Sequence, residues 1–241
     1  MTSPHTYEGH DLEVLADLPN YYNWIIQIFR PWIKGRTMEI GAGIGTITRQ
    51  IIDDTDELIL VEPSAHLTDQ IPAAITENSK VTVFNEMLET RLPQMTDSSC
   101  DTIIMVNVLE HIEDDGAALE SLFRVLKPGG HLLLFVPALQ FLYSELDRQH
   151  GHFRRYHLSP LDFKLNVHGF RVRDKRYFDL AGVLPWWLIN TIGKKTDFNP
   201  AMASIYDTYF VPVTKFVERW IAPPLGKNIL IVAERPLENP K

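Results

Sequence analysis

Met38-Glu39-Ile40-Gly41-Ala42-Gly43-Ile44-Gly45-Thr46-Ile47-Thr48 is the stretch on which the fold turns. An apolar strand pattern runs into three glycines at alternate positions, and a helical pattern follows. Glycine at such a junction lets the backbone turn tightly and lets a ligand approach a helix N-terminus with no Cβ in the way. The stretch therefore predicts a nucleotide-like ligand. Dinucleotides want G-x-G-x-x-G, whose third glycine allows close helix–strand packing. Here the spacing is G-x-G-x-G, and the third position of that pattern falls on Thr46, or on Thr48 when counted from Gly43. Glu39, at the strand end, is badly placed beside a pyrophosphate. It suits a ligand carrying an ammonium and a sulfonium, because opposite charges attract across a short, partly dry gap.

Working outward, Leu58-Ile59-Leu60-Val61 reads as a second buried strand that ends at Glu62-Pro63-Ser64. A carboxylate there accepts hydrogen bonds from the hydroxyls of an unphosphorylated ribose, and Ser64 is placed to cap the next helix. Further strands are predicted over 81–84, 101–108 and 132–136, with helices over 21–32, 44–52 and about 114–126. Lys127-Pro128-Gly129-Gly130 reads as a helix stop and turn. The strands are continuous apolar runs rather than alternating ones, the mark of a parallel sheet covered on both faces. Beyond Pro137 the rhythm breaks: a helix over 160–167, a strand over 170–177, a Trp/Pro-rich insertion over 180–200, a helix over about 204–220 and a last strand over 228–234. The predicted class is α/β: a Rossmann-like, doubly wound, mostly parallel seven-stranded sheet with helices on both faces, an N-terminal helix and a late helical insertion. One domain spanning 1–241 is expected, made of an N-terminal helical cap (1–36), a cofactor-binding core (37–138) and an acceptor-side segment with the insertion and C-terminal strands (139–241).

The 241 residues suffice for a sizeable core, and the formal net charge of −8 argues against a broad nucleic-acid surface. Cys100 is the one cysteine, so no internal disulfide forms and the thiol fits a reducing compartment. The first residues show no basic segment followed by an apolar run, and the most apolar late segment, Val183–Ile189, is too short to span a bilayer. A soluble cytoplasmic protein without membrane or nucleic-acid partners, monomeric or homodimeric, is expected.

Four ordered segments together resemble the class I S-adenosylmethionine-dependent methyltransferases: Glu39-Ile40-Gly41-Ala42-Gly43-Ile44-Gly45, Val61-Glu62-Pro63-Ser64, Asp101 through Ile112 (DTIIMVNVLEHI), and Leu126-Lys127-Pro128-Gly129-Gly130-His131-Leu132. The resemblance covers roughly Thr37 to Val136. It implies S-adenosyl-L-methionine as cofactor. Glu39, Gly41, Ala42, Gly43 and Gly45 would surround its methionine part, Glu62 its ribose, and Pro63 and Ser64 its adenine. Glu86 would accept from the adenine amino group with Met87 on the ring, although Asn85-Glu86-Met87 departs from the family's usual Gly-Asp-Ala-type turn. Asn107 would lie near the sulfonium. Each residue has a structural alternative: Glu39 a solvated strand end, Glu86 a surface charge, Asn107 a partner for backbone groups, and Glu110 a capping or bridging side chain.

Methyl transfer from a sulfonium is a direct displacement, so position matters most, and a base is needed only when the acceptor holds a proton. Candidates cluster in Tyr143 through His157 (YSELDRQHGHFRRYH), which leaves the fifth strand near the reactive end. The run His150-Gly151-His152-Phe153-Arg154-Arg155-Tyr156 is similar to one in a bacterial subgroup of the family that acts on small metabolites. His152, Tyr156 and His111 are the catalytic candidates. Tyr22, Tyr143, Arg155 and Trp186 are the acceptor-binding candidates, with Arg155 holding a polar or anionic group. The structural alternative pairs Arg154 and Arg155 with carboxylates such as Asp147 or Glu145. No metal site is expected, because no carboxylate or cysteine completes a ligand set with His150, His152 and His157. The expected activity is methylation of a small molecule, with an aromatic or secondary-metabolite-like acceptor suggested by Trp186 and Trp187. The alternatives are an NAD(P)-dependent oxidoreductase and a non-catalytic cofactor-binding partner protein.

Overall fold

The computed structural model describes residues 18–196 and 199–237. The expectation for the first residues of the chain thus lies, up to residue 17, outside the described residues. One seven-stranded sheet organises the rest: β1 (Arg36–Ile40), β2 (Glu57–Val61), β3 (Val81–Phe84), β4 (Cys100–Val106), β5 (Leu126–Pro137), β6 (Arg171–Phe178) and β7 (Asn228–Glu234). Their spatial order is β3-β2-β1-β4-β5-β7-β6. The pairs from β3 across to β5 are parallel, while β7 runs antiparallel to both neighbours.

The central strands carry apolar side chains to both faces because both faces are covered. On one face Met38, Ile103, Leu132 and Leu134 pack with Leu119 and Leu122 of the helix Asp115–Val125 and Leu161 of the helix Leu158–Val167. On the other, Ile104, Leu133 and Phe135 meet Trp24, Ile25 and Phe29 of the helix Pro19–Phe29. That N-terminal helix has no side-chain cap of its own at Leu18. Asp207, in the late helical segment, instead accepts from the backbone N–H groups of Asn20 (3.0 Å) and Tyr21 (2.8 Å). A buried carboxylate at a helix N-terminus satisfies orphan donors and complements the dipole, so the late helical segment and the N-terminal helix are tied together.

Three elements depart from expectation. The helix after the glycine turn is one turn, Thr48–Ile51, followed by a 3₁₀ turn over Ile52–Asp54; its run of β-branched residues is a weak helix former. The Lys127–Gly130 turn lies inside β5, where Gly129 takes φ +79° and the pairing with β4 slips between Cys100 and Thr102, a bulge rather than a separate connection. The late helix is broken into Pro200–Ile205, a wide π-type turn over Tyr206–Phe210, and Val211–Glu218, which exposes Val213, Phe216 and Val217. No helix among the described residues is long and apolar enough to cross a membrane.

Candidate active site

The glycine turn leaves β1 with Gly41 donating from its N–H to the Val61 carbonyl at 2.8 Å, which holds it against the end of β2. Gly41, Gly43 and Gly45 have φ of +75°, +53° and +80°. Their surroundings differ. A Cβ on Gly41 would sit 2.4 Å from Val108 Cγ2 and one on Gly45 3.2 Å from Ile71, whereas one on Gly43 would meet nothing within 4 Å. Gly41 is thus a packing requirement, and Gly43 is the open side of the turn.

Two carboxylates flank that opening. Glu39 is 3% exposed. Its Oε2 accepts from Thr48 Oγ1 at 2.7 Å, and no cation pairs with it among the described residues. Burial, opposed in part by the Thr48 bonds and helped by the nearby Glu62 charge, pushes its carboxyl up to about 8. Glu62, also buried, accepts from Gly43 N–H through Oε2 and from Ser64 N–H through Oε1, both at 3.0 Å. Burial raises its carboxyl despite those bonds. Each Glu62 oxygen keeps a lone pair. Asn85, which the sequence left unassigned, donates to Thr68 Oγ1 (2.7 Å) and to the Glu62 carbonyl (3.4 Å), fixing the turn that carries Glu62. Ser64 begins the next helix but its side chain makes no cap bond, a departure from expectation; Pro63 is exposed. Ala42 is buried under the turn, Met87 is 52% exposed, and Glu86 lies 3.8 Å from Arg91, an ion-pair partner the sequence did not suggest. Asn107 is exposed at the end of β4 with φ +53°, its N–H on the Phe135 carbonyl at 2.8 Å.

Val108, against Gly41, leads into a 3₁₀ turn, Leu109–His111. The Phe153 N–H bonds the Glu110 carbonyl at 2.9 Å, so this turn and the segment after β5 form one wall. Asp147 organises that segment. Its Oδ2 accepts from the Ser144 N–H and hydroxyl, both at 2.8 Å, and Arg155 grips both its oxygens at 2.8 and 3.0 Å. Burial alone would raise its carboxyl, but bonds from His152 and Arg155 and the Arg155 charge outweigh that and hold it down at about 2. The His152 Nδ1 lies 3.0 Å from Asp147 Oδ1, and its Nε2 faces Glu110 Oε1 at 4.0 Å. Burial lowers His152, only partly offset by Asp147. His111 stands edge-on to it, ring centres 4.6 Å apart, and burial together with the His152 and His150 charges pushes His111 down to about 3. Glu110 is fully buried, neither carboxylate oxygen has a hydrogen-bond partner among the described residues, and burial pushes its carboxyl up to about 8.

Two of the acceptor-side candidates are engaged by the scaffold itself. Tyr156 is 6% exposed and its hydroxyl lies 3.1 Å from the Leu109 carbonyl and 3.0 Å from Asp115 Oδ2, so it joins wall to scaffold and presents no free hydroxyl. Arg155, also 6% exposed, spends its guanidinium on Asp147 and the Ala138 carbonyl under the Trp186 indole, 4.6 Å away, so it has no free edge for an acceptor anion. Trp186 is half-buried and its indole N–H donates to the Leu142 carbonyl at 3.1 Å. Tyr143 donates to the His152 carbonyl at 2.7 Å. Tyr22 is half-buried on the N-terminal helix, its hydroxyl pushed up to about 12 by burial. The structure therefore gathers His111 and His152 with Glu110, and leaves Tyr22 in a separate layer.

Comparison with known proteins agrees with this architecture. A sequence-family profile described as a methyltransferase domain matches residues 38–132. An uncharacterized methyltransferase of Mycobacterium bovis is 25% identical over 114 residues, 47% of this chain and 43% of that protein. A probable polyketide synthase of Dictyostelium discoideum is 27% identical over 122 residues, 42% of this chain and 5% of the synthase. The chain thus spans less than half of the one and a small part of the other. A solved complex of a Haloferax volcanii methyltransferase with the Trm112 methyltransferase activator gives a TM-score of 0.64 at 17% identity over 95% of both chains. Phosphoethanolamine N-methyltransferase 2 of Haemonchus contortus, bound to S-adenosyl-L-methionine, gives 0.63 at 17% identity over 96% of this chain and 58% of that one. At such identities the structural likeness is one of fold. Fold, glycine turn and profile define a methyltransferase domain. Residues 38–132 carry the methyltransferase-domain match, and the fold is the one shared by the solved S-adenosylmethionine-dependent methyltransferases. The chain's residues fit that cofactor: two buried carboxylates without a cation stand beside a turn that is open only at Gly43.

Proposed function

We propose that the chain transfers a methyl group from S-adenosyl-L-methionine to a small-molecule acceptor by direct displacement. What most supports this is the pairing of uncompensated, buried Glu39 and Glu62 with the open Gly43: a cationic nucleoside relieves the electrostatic cost there, and a diphosphate raises it. Glu39 and the N–H groups of the turn hold the amino-acid part, Glu62 the ribose through its remaining lone pairs, Pro63, Ser64, Glu86 and Met87 the base, and Asn107 the reactive end. When bound, the cofactor supplies an electrophilic methyl group on a sulfonium. The protein's part is to orient the acceptor and exclude water, and to take a proton where the acceptor carries one. His152 Nε2 is the atom for that task, since Asp147 engages Nδ1 and fixes the tautomer. Tyr143 sets the backbone of His152, and the exposed surface near Trp186 and Trp187 favours an aromatic or secondary-metabolite-like acceptor. We place the enzyme in a reducing, cytoplasmic setting, as one domain over 1–241, working as a monomer or a homodimer.

Calorimetry with S-adenosylhomocysteine and with NAD⁺ separates this reading from a nicotinamide-dependent one. Saturable one-to-one binding of the nucleoside and none of NAD⁺ is expected; tight NAD⁺ binding with no uptake of the nucleoside would end the proposal. Turnover with candidate acceptors then separates an enzyme from a non-catalytic binding partner.

A further inference from the structure

We propose that Glu110, His111 and His152 form a binding site for one first-row divalent transition-metal ion, on the acceptor side of the cofactor turn. One ligand atom from each of the three lies within 4.8 Å of the others. Two ligands about 2.1 Å from a shared ion stand at most about 4.2 Å apart, so side-chain rotations that draw the atoms in by roughly half an ångström close the site. Three features point to an occupant rather than to chance proximity.

Glu110 is the first. It is fully buried, and neither of its carboxylate oxygens has a hydrogen-bond partner among the described residues. A buried carboxylate left so bare is costly unless a cation or donor completes it. The His152 Nε2 it faces is 4.0 Å away, beyond hydrogen-bond reach, which leaves a gap between acid and base that an ion fills. The second is what stands behind His152. Its Nδ1 is engaged by Asp147 at 3.0 Å, itself locked by Arg155 and Ser144. A carboxylate behind the far nitrogen of a histidine is how metal-binding imidazoles are oriented and made better donors. The third concerns His111, which hydrogen-bonds the backbone of His150 and so presents its ring to the same point.

The donor set decides the ion. Two imidazoles and one carboxylate, with no thiolate, suit zinc, iron(II), manganese or cobalt rather than the all-oxygen cages of calcium and magnesium. Three protein ligands leave coordination positions open, as in catalytic rather than structural sites. An oxygen of the acceptor fits an open position, where the ion would favour its ionised form. Occupied, the site takes His152 Nε2 out of service as a free base and hands acceptor activation to the ion. The sequence pointed away from a metal because it offered His150, His152 and His157 without a carboxylate; Glu110 and His111 come from the turn after β4.

The test uses the untagged full chain, freed of metal by a chelator and desalted. Titration with zinc(II) is followed by calorimetry and titration with cobalt(II) by visible absorption. One equivalent bound at micromolar affinity or better is expected, with a cobalt ligand-field band. Glu110→Gln and His152→Ala should each weaken binding at least 100-fold. His111→Ala, at an exposed position, is the variant safest for folding and should abolish the cobalt band. His66→Ala, on an exposed helix far along the chain, should change nothing. Circular dichroism and binding of S-adenosylhomocysteine, unchanged in each variant, report an intact fold. No stoichiometric binding, or wild-type affinity in Glu110→Gln and His111→Ala, would overturn the metal site and leave His152 as the base. Failure of the wild type to bind the nucleoside while it holds the ion would instead strike at the methyltransferase reading.

Discussion

Glu39 shows at the scale of one side chain how a site can be built at the expense of the free protein. Burial holds its carboxyl near 8, against an ordinary 4.5. An acid raised in the folded state contributes stability in full below about pH 4.5, and that contribution is lost as the pH rises through about 8. The upper limit is on the order of 5 kcal/mol. Glu39→Gln keeps the neutral shape at every pH. The thermal midpoint of the unliganded wild type should therefore fall more steeply from mildly acidic to mildly alkaline pH than that of the variant. A ligand with an ammonium group reverses the trend, because its affinity rises as Glu39 ionises. In calorimetry across the same range, S-adenosylhomocysteine should bind the wild type more tightly with rising pH and the variant weakly and evenly. Parallel curves for the two proteins in both measurements would remove Glu39 from the cation-binding role.

At the scale of elements, the glycine turn separates two kinds of constraint that look alike in the sequence. Gly43→Ala places a Cβ in open space at φ +53°, so it costs about 1–2 kcal/mol of backbone strain but crowds the cofactor cradle. Gly41→Ala adds a clash with Val108 worth roughly 1–3 kcal/mol more. Denaturant unfolding should show the larger loss in Gly41→Ala, partly restored by Val108→Ala, while calorimetry should show the larger loss of nucleoside affinity per unit of stability in Gly43→Ala. Equal behaviour of the two alanine variants in both assays would refute the distinction. The turn and the strands around it were legible because doubly covered parallel strands carry continuous apolar runs, as at 58–61 and 103–106, bounded by turn residues. The acceptor wall was not. Asp147 could be named as a partner for Arg155 because the two lie eight residues apart. Glu110 and His152 lie 42 positions apart in the sequence, and nothing periodic links them. The pairing of Asp115 with Tyr156 was hidden for the same reason. Tyr156 and Arg155 bond to Asp115 and Asp147, the latter being the structural alternative the sequence offered for Arg155, and residue type alone does not tell such a partner from a ligand-facing side chain.

The whole molecule is closed by its latest strand. β7 enters between β5 and β6 and pairs with β5 from His131↔Glu234 to Pro137↔Asn228. All seven of its residues are buried. Lys227 fixes its approach through an ion pair with buried Asp179 at 3.1 Å. A chain stopped after Lys227 should lack nucleoside binding and partition into the insoluble fraction, whereas one stopped after Leu237 should bind normally; nucleoside binding by the shorter chain would refute the closure. Until Asn228–Glu234 has left the ribosome, the β5 edge stands unpaired and both apolar faces near it are incomplete. The cofactor cradle, made by residues synthesised well before β7, has to wait for that strand, so a nascent chain leaves the β5 edge bare until residue 234 has emerged.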